Sequence, residues 1–309
     1  MDRLNQIPTI ILAGSDGKPT TLPDGANSGR PLSGYKGADL EIEGQPLVVN
    51  VGRRLQASGS FGPNYIAGPA RVYRQLCAES ELIDTDADFG SNIVRALDVV
   101  ADRHPNSPVA FITCDILPEP EVLRSMAELY RSVSPCDLWF PIIHTPDSES
   151  LGASSWKPTY QLVPRGGDEA WTALGGHLVI VRPDTLRLDF LRQLFHHAYA
   201  TRNRPLNYRK RVVARKMLAA LLREDFARLI RGRLPSATWR TVRSGISGVR
   251  RLGAGTMAIP QLEKTLCDLL IDHDHSGEHG CRVHVPFLDE LSLALDIDTE
   301  AEARSWNAG

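Results

Sequence analysis

The apolar positions of this chain come in short blocks, and the spacing inside each block separates strands from helices. Ile10, Ile11 and Leu12 form a β-branched run that breaks at once into Ala13, Gly14, Ser15, Asp16, Gly17 and Lys18. Such a run, ended by small flexible residues, reads as a buried strand leaving its sheet through a loop. Tyr65-Ile66-Ala67-Gly68-Pro69 repeats the pattern and predicts a second strand ending in a turn. Val109 to Asp115 is a third, closed by a carboxylate, and Leu138 to Ile143 is a fourth. Between them the period becomes helical. Leu47 to Leu55 is one helix, Asn92 to Val100 another with Ile93, Ala96, Leu97 and Val100 on one face, and Pro118-Glu119 opens a third that runs to about Ser132.

Strand, helix, strand, helix at this spacing predicts an α/β fold, a mostly parallel twisted sheet with helices on both faces. Residues 158–182 read as a return strand system with Leu174 to Val181 at its end. Leu186 to about Val249 reads as nearly continuous helix, Leu295 to Thr299 as a late strand, and Glu300 to Trp306 as a short closing helix. The expected organisation is an α/β core over 1–190, a basic helical insertion over 191–252, and a part over 253–309 that completes the core. Ligands of open α/β sheets bind at the carboxyl ends of the strands. Gly14, Gly17, Gly68 and Asp115 are expected along that edge.

With 309 residues and 42% hydrophobic content, the chain can bury one large core or two smaller ones. No apolar run approaches the roughly 20 residues that cross a bilayer. Met1 to Gln6 lacks the basic-then-apolar order of a signal peptide, and Cys77, Cys114, Cys136, Cys267 and Cys281 are scattered without a C-x-x-C pair. Reduced thiols in a cytoplasmic protein are the expectation. The net charge of −2 conceals an asymmetry. Between Arg202 and Arg251 fifteen Lys/Arg face two acids, Glu224 and Asp225, so this stretch carries +13 and the remainder −15.

Glycines after the first strand let the main chain approach a phosphate without a Cβ in the way, and Lys18 adds a mobile positive charge. Residues 18–36 are rich in Pro, Gly, Ser, Thr and Asp, which predicts a long surface loop closed by Lys36. Asp115, directly after a buried strand, either caps the next helix or offers oxygen to a hard cation such as Mg²⁺. Asp296 and Asp298 alternate on the expected late strand and so share a face, with capping of the closing helix as the other reading. His273, His275, His279, Cys281 and His284 lie close in sequence but match no zinc spacing, and their Gly/Ser/Asp context reads as a polar loop.

Taken together, the glycine loop, Lys36 and the two carboxylate positions resemble the MobA-like NTP transferases, a nucleotidyltransferase group with a GT-A-like core. The family opens on roughly LAGG-x-G-x-R and then K-x-L-x-x-x-x-G-x-P. Here Leu12-Ala-Gly-Ser-Asp-Gly17 is followed by Lys36 and by Ile42-Glu-Gly-Gln-Pro-Leu47. Ile66-Ala-Gly-Pro69, Gly90-Ser-Asn92, Phe111 to Pro118, Gly175-Gly-His177 and Asp296-Ile-Asp-Thr299 follow in the family's order. Two positions depart from the pattern. Ser15 stands at the second glycine, and Pro19 stands at the arginine with Lys18 beside it.

The resemblance implies that Leu12, Ala13, Gly14, Ser15, Asp16 and Gly17 cradle nucleotide phosphates, with Gly68 at the same edge and Gly90, Ser91 and Asn92 near base and ribose. Lys36 and Lys18 would neutralise phosphate charge. Asp115 and Asp298, supported by Asp296, would hold Mg²⁺. Gly175, Gly176 and His177 would face the acceptor. The implied activity transfers an NMP from an NTP, with CTP and GTP as first candidates, to a small phosphorylated acceptor and releases pyrophosphate. A nucleotide-sugar glycosyltransferase is the enzymatic rival, although no Asp-x-Asp follows the third strand. The departures at Ser15 and Pro19 leave a catalytically inactive nucleotide-binding or scaffolding relative as the rival of another class.

The basic stretch 202–251 has three readings. Leu218, Leu221, Leu222, Phe226, Leu229 and Ile230 can line one helical face that packs on the core, with solvated arginines outside. The arginines can instead form an acceptor site or lid for a phosphorylated substrate. The stretch can also lie on an anionic membrane surface. Nucleic acid is not expected, since Tyr208, Phe226 and Trp239 are too sparse for a stacking series.

Overall fold

Ile10 and Ile11 stand on opposite faces of one strand and neither exposes any surface (0% each). A strand with two buried faces has to be covered on both sides. The computed structural model describes residues 6–14, 34–77, 79–145, 159–201, 206–230, 232, 237–272 and 280–307. Its first half runs β1 (Ile7–Leu12), α1 (Lys36–Asp39), β2 (Glu41–Ile42), β3 (Gln45–Pro46), α2 (Leu47–Ser58), β4 (Phe61–Gly68), α3 (Ala70–Tyr73) and β5 (Glu81–Asp84). There follow α4 (Phe89–Arg103), β6 (Val109–Thr113), α5 (Pro120–Ser132), β7 (Leu138–Trp139), β8 (Ile142–His144), β9 (Tyr160–Val163), β10 (Trp171–Gly175) and β11 (Leu178–Val181). Three long helices come next, α6 (Leu188–Ala200), α7 (Leu206–Ile230) and α8 (Ala237–Gly253). The chain closes with β12 (Met257–Ala258), α9 (Ile259–Leu270), β13 (Val283–His284), β14 (Phe287–Leu288) and α10 (Glu300–Asn307).

Among the described residues, seven strands form the main sheet in the order β13-β7-β11-β6-β1-β4-β5. β1 lies parallel to both β4 and β6, and β5 adds a parallel edge beside β4. β11 is antiparallel to β6 and β7. On one face Ile11, Ile66 and Ile112 share a buried cluster with Val48, Val51 and Leu55 of α2 and with Leu123 and Met126 of α5. On the other, Ile10, Tyr65 and Phe111 join Ala96, Leu97 and Val100 of α4. Each fully buried aliphatic side chain in these layers contributes about 1.5–3 kcal/mol. The fold is the expected α/β class, a mostly parallel sheet with helices on both faces.

The strand expected over Leu138–Ile143 divides at Phe140-Pro141. β7 stays in the main sheet, whereas β8 enters a second sheet of order β12-β9-β10-β8-β14. The return segment divides in the same way at Gly176-His177, with β10 in the second sheet and β11 in the first. Gly176 makes the crossing possible. Its N–H donates to the Pro141 carbonyl at 2.8 Å, and a Cβ there would stand 2.7 Å from Pro141 Cγ.

Two further expectations are corrected. Leu295 to Asp298 is an irregular segment without ladder partners, because its backbone is anchored to a loop at the end of β6. Cys267 and Cys281 are joined in a disulfide, so the expected set of five reduced thiols shrinks to Cys77, Cys114 and Cys136. The pair closes the path from the end of α9 to β13, which no short cysteine spacing announces.

Candidate active site

The three parallel strands end together. Cys114 donates its N–H to the Leu12 carbonyl at 3.1 Å, and Ala13 donates to Ala67 at 2.9 Å, so the carboxyl ends of β6, β1 and β4 form one continuous edge. Asp115 follows β6 there. α5 starts only at Pro120 and its cap position is Glu119, four residues beyond Asp115. The closing helix has its own cap. Thr299 and Glu302 close a reciprocal box at the start of α10: Glu302 Oε2 accepts from the N–H groups of Asp298 (2.7 Å) and Thr299 (2.9 Å), and Thr299 Oγ1 accepts from Glu302 N–H at 3.2 Å.

Ile297 donates its N–H to the Asp115 carbonyl at 2.7 Å, which lays the C-terminal segment across the end of β6. As a result Asp115, Asp296 and Asp298 each bring an oxygen within 4.8 Å of the others. Among the described residues this is the one group of three side chains that could hold a metal ion. Clustered carboxylate oxygens without nitrogen or sulfur suit a hard divalent cation such as Mg²⁺.

Lys36, the first residue of α1, reaches into this group. Its ammonium lies 3.5 Å from Asp115 Oδ2 and donates to Asp298 Oδ1. Burial works against the Lys36 charge, but the Asp115 and Asp298 carboxylates outweigh it and hold its pKa above the ordinary lysine value. Gly37 is what allows the reach. A Cβ there would stand 2.9 Å from Cys114 Sγ and 3.2 Å from Tyr73 Oη, so only glycine lets α1 settle this low on the sheet edge. Burial, reinforced by Asp115, pushes the Cys114 thiol far up; burial and Cys114 do the same to Tyr73. Both stay neutral and neither is a nucleophile or base at neutral pH.

The remaining sequence candidates fall around this centre in different ways. Leu12, Ala13 and Gly14 lie at the end of β1, and a Cβ on Gly14 would be 3.7 Å from Asn92 Nδ2. Ser15, Asp16, Gly17 and Lys18 lie outside the described residues, as do His273, His275 and His279. Gly68 sits on the edge but packs inward, its Cβ position 2.7 Å from the Tyr73 ring and 2.8 Å from the Ala13 carbonyl. Gly90 faces α6, where a Cβ would stand 2.8 Å from Phe195 Cβ. Ser91 donates its hydroxyl to Asp88 at 2.6 Å, and Asn92 exchanges two bonds with the Ala87 backbone. Gly175 packs on Phe140, and His177 Nδ1 stands 3.2 Å from Thr113 Oγ1, on the strand that leads to Asp115. His284 lies 3.6 Å from Glu263, and Cys281 is in its disulfide.

Sequence reasoning passed over Gly37, Thr113, Thr299 and Glu302. Thr299-Glu-Ala-Glu302 is a legible capping box, and it names Thr299 as the cap of the closing helix. Gly37 and Thr113 carry no such signal.

No family model matches the chain, and no curated protein matches it. Solved structures do. It is similar to a hypothetical transferase from Thermus thermophilus, with 18% identity, 96% of this chain and 99% of that chain covered, and a TM-score of 0.53. It is also similar to CMP:2-keto-3-deoxy-manno-octonic acid synthetase complexed with CTP, with 13% identity, coverage of 98% and 96%, and a TM-score of 0.50. The fold is nucleotidyltransferase-like. At these identities the likeness is one of fold, and the chemistry has to be argued from the carboxylate–lysine centre.

Proposed function

We propose that this protein is a Mg²⁺-dependent nucleotidyltransferase of the MobA-like kind, which transfers an NMP from CTP or GTP to a small phosphorylated acceptor. The observation that carries the reading is the convergence of Asp115, Asp296, Asp298 and Lys36 at the carboxyl edge of the parallel sheet. This is where an α/β sheet binds its ligands. The CTP held by the synthetase of similar fold agrees with a nucleoside triphosphate as donor.

Asp115 and Asp298, with Asp296 beside them, would hold Mg²⁺. The ion would supply Lewis-acid neutralisation of the phosphate oxygens. Lys36 offers three donors on a flexible stem, so its ammonium can turn from the carboxylates toward a phosphate while its charge persists through neutral pH. The backbone of Leu12, Ala13 and Gly14, continuing through Ser15, Asp16, Gly17 and Lys18, would cradle the phosphates. In the reaction an acceptor phosphate oxygen attacks the α-phosphorus in line, a new P–O–P link forms, and the α–β bridge breaks to release pyrophosphate. Such an acceptor is already anionic and needs no general base. That suits a site whose nearest titratable hydroxyl and thiol, Tyr73 and Cys114, are held neutral. His177, through Thr113, would stand on the acceptor side.

Pyrophosphate release from each of the four NTPs, measured over a panel of small phosphorylated acceptors, tests the reading. Mg²⁺-dependent release with one base preferred, lost in Asp115→Ala and Asp298→Ala, supports it. Release that persists in both variants contradicts it.

A further inference from the structure

The helices α7 and α8 carry an outer face that the fold does not use. On α7, Leu221 (3% exposed) and Met217 pack inward with Phe190, whereas Leu222 (55%) and Phe226 (65%) point out, with Leu218, Leu229 and Ile230 also exposed. The expected single leucine face is therefore two faces, one buried and one in solvent. α8 packs against α7 and adds Trp239 (69%), Ile246 and Val249 to the exposed set. Among the described residues fourteen large hydrophobic side chains are exposed, and nine of them belong to these two helices. Such a concentration marks an interaction surface.

The charges around it have one sign. Arg211, Arg215, Arg243 and Arg250 are exposed on the same helices. The two acids of this region are engaged elsewhere: Glu224 pairs with Arg187 and Arg228, and Asp225 accepts from the Thr238 N–H at the start of α8. Beside the apolar residues, between α8 and α9, runs an open groove of about 640 Å³, lined by Trp239, Arg240, Arg243, Arg251 and Lys264. Asp268, at its floor, is bonded to Ser244 and Lys264.

We propose that this face docks on an anionic lipid surface. Leu222, Phe226, Trp239 and Ile246 would enter the headgroup–acyl boundary, the flanking arginines would meet anionic headgroups, and the α8–α9 groove would take a phosphate-bearing headgroup. A second copy of the chain fits the face poorly, because a two-fold contact brings arginines together while Glu224 and Asp225, the acids of these two helices, are already engaged. Nucleic acid leaves the apolar residues unexplained. No helix among the described residues is long and apolar enough to cross a membrane, so the contact lies on the surface. The proposal is independent of the nucleotide reading, since none of these residues belongs to the carboxylate–lysine centre.

Co-sedimentation of the full chain with phosphatidylcholine vesicles, with and without phosphatidylserine, is the test. The expected result is binding only to the phosphatidylserine vesicles, weakened about tenfold or more by roughly 0.5 M salt. Phe226→Ser/Trp239→Ser and Arg243→Glu/Arg250→Glu should each lower binding by at least about tenfold while circular dichroism and nucleotide binding stay unchanged. Equal binding to neutral vesicles, or no binding to anionic ones, overturns the proposal. So does a solution dimer that Phe226→Ser/Trp239→Ser dissociates, which would assign the face to a second copy.

Discussion

Ile297 donates its backbone N–H to the carbonyl of Asp115 at 2.7 Å, and this bond joins the last part of the chain to the end of a central strand. Asp296 and Asp298 flank Ile297, so the bond delivers two carboxylates to a third. Placement of this centre thus depends on a backbone contact between segments about 180 residues apart.

Lys36→Met removes the cation that Asp115 and Asp298 share. The pair is largely buried, so its loss should cost about 1–3 kcal/mol, between the limits for exposed and fully buried pairs. Mg²⁺ should then raise the melting temperature of the variant more than that of the wild type, because the added ion replaces the positive charge that the two carboxylates lose. Turnover should fall by about 10²–10³ if Lys36 also steadies phosphate charge. Thermal scans with and without Mg²⁺ check the first part, and equal Mg²⁺ shifts in the two proteins would count against it.

Gly37→Ala places a Cβ 2.9 Å from Cys114 Sγ. Something must move, and we expect a loss of about 1–3 kcal/mol together with weaker nucleotide binding as Lys36 is lifted from the edge. Cys114→Ala removes the clashing sulfur and should recover part of the loss in the double variant. A double-mutant cycle by chemical denaturation measures this coupling.

Glu302→Ala withdraws the acceptor from two N–H groups, those of Asp298 and Thr299. Helix α10 should fray at a cost of about 0.5–2 kcal/mol. Because Asp298 is held by the same bond, Mg²⁺ affinity should fall with the stability. Glu302→Gln, which keeps an acceptor, should be milder on both readouts.

Acid should destabilise the fold through its histidines. Burial and Arg103 lower the pKa of His104, burial and His196 that of His197, and burial that of His284 below the ordinary value of 6.5. Each is thus protonated more readily unfolded than folded. As pH falls through 6.5 the unfolded state takes up protons first and stability declines, until the pH passes below the folded values. Imidazole titration by NMR should find His104 below 6.5 in the folded protein, beside its 2.8 Å contact with Tyr65. A midpoint at or above 6.5 contradicts the environment described.

What the sequence disclosed, and what it did not, follows from the range of the forces involved. β1, β4 and β6 were legible because a doubly buried strand is an apolar run with an abrupt end, as at Leu12, Gly68 and Thr113. Asp115 and Lys36 stand out as candidates because each adjoins such an end or a long loop, and the structure brings the two side chains together. The split of one expected strand into β7 and β8 was not, since Pro141 marks an interruption but not a change of sheet. Periodicity placed Leu221 and Leu222 on the same helix without saying that one packs inward and the other faces solvent, because α7 is apolar on two sides. The company kept by Asp298 rested on Ile297 and Glu302, whose bonds are tertiary or local capping contacts with no hydrophobic period.

Calorimetric titration of each of the four NTPs with Mg²⁺, into wild type and into Asp115→Ala, tests the central claim most directly. The account predicts tight binding of one NTP over the others, dependent on Mg²⁺ and lost or weakened by at least about tenfold in the variant. Binding that is indifferent to Mg²⁺ and to Asp115, or no binding of any NTP, would contradict it.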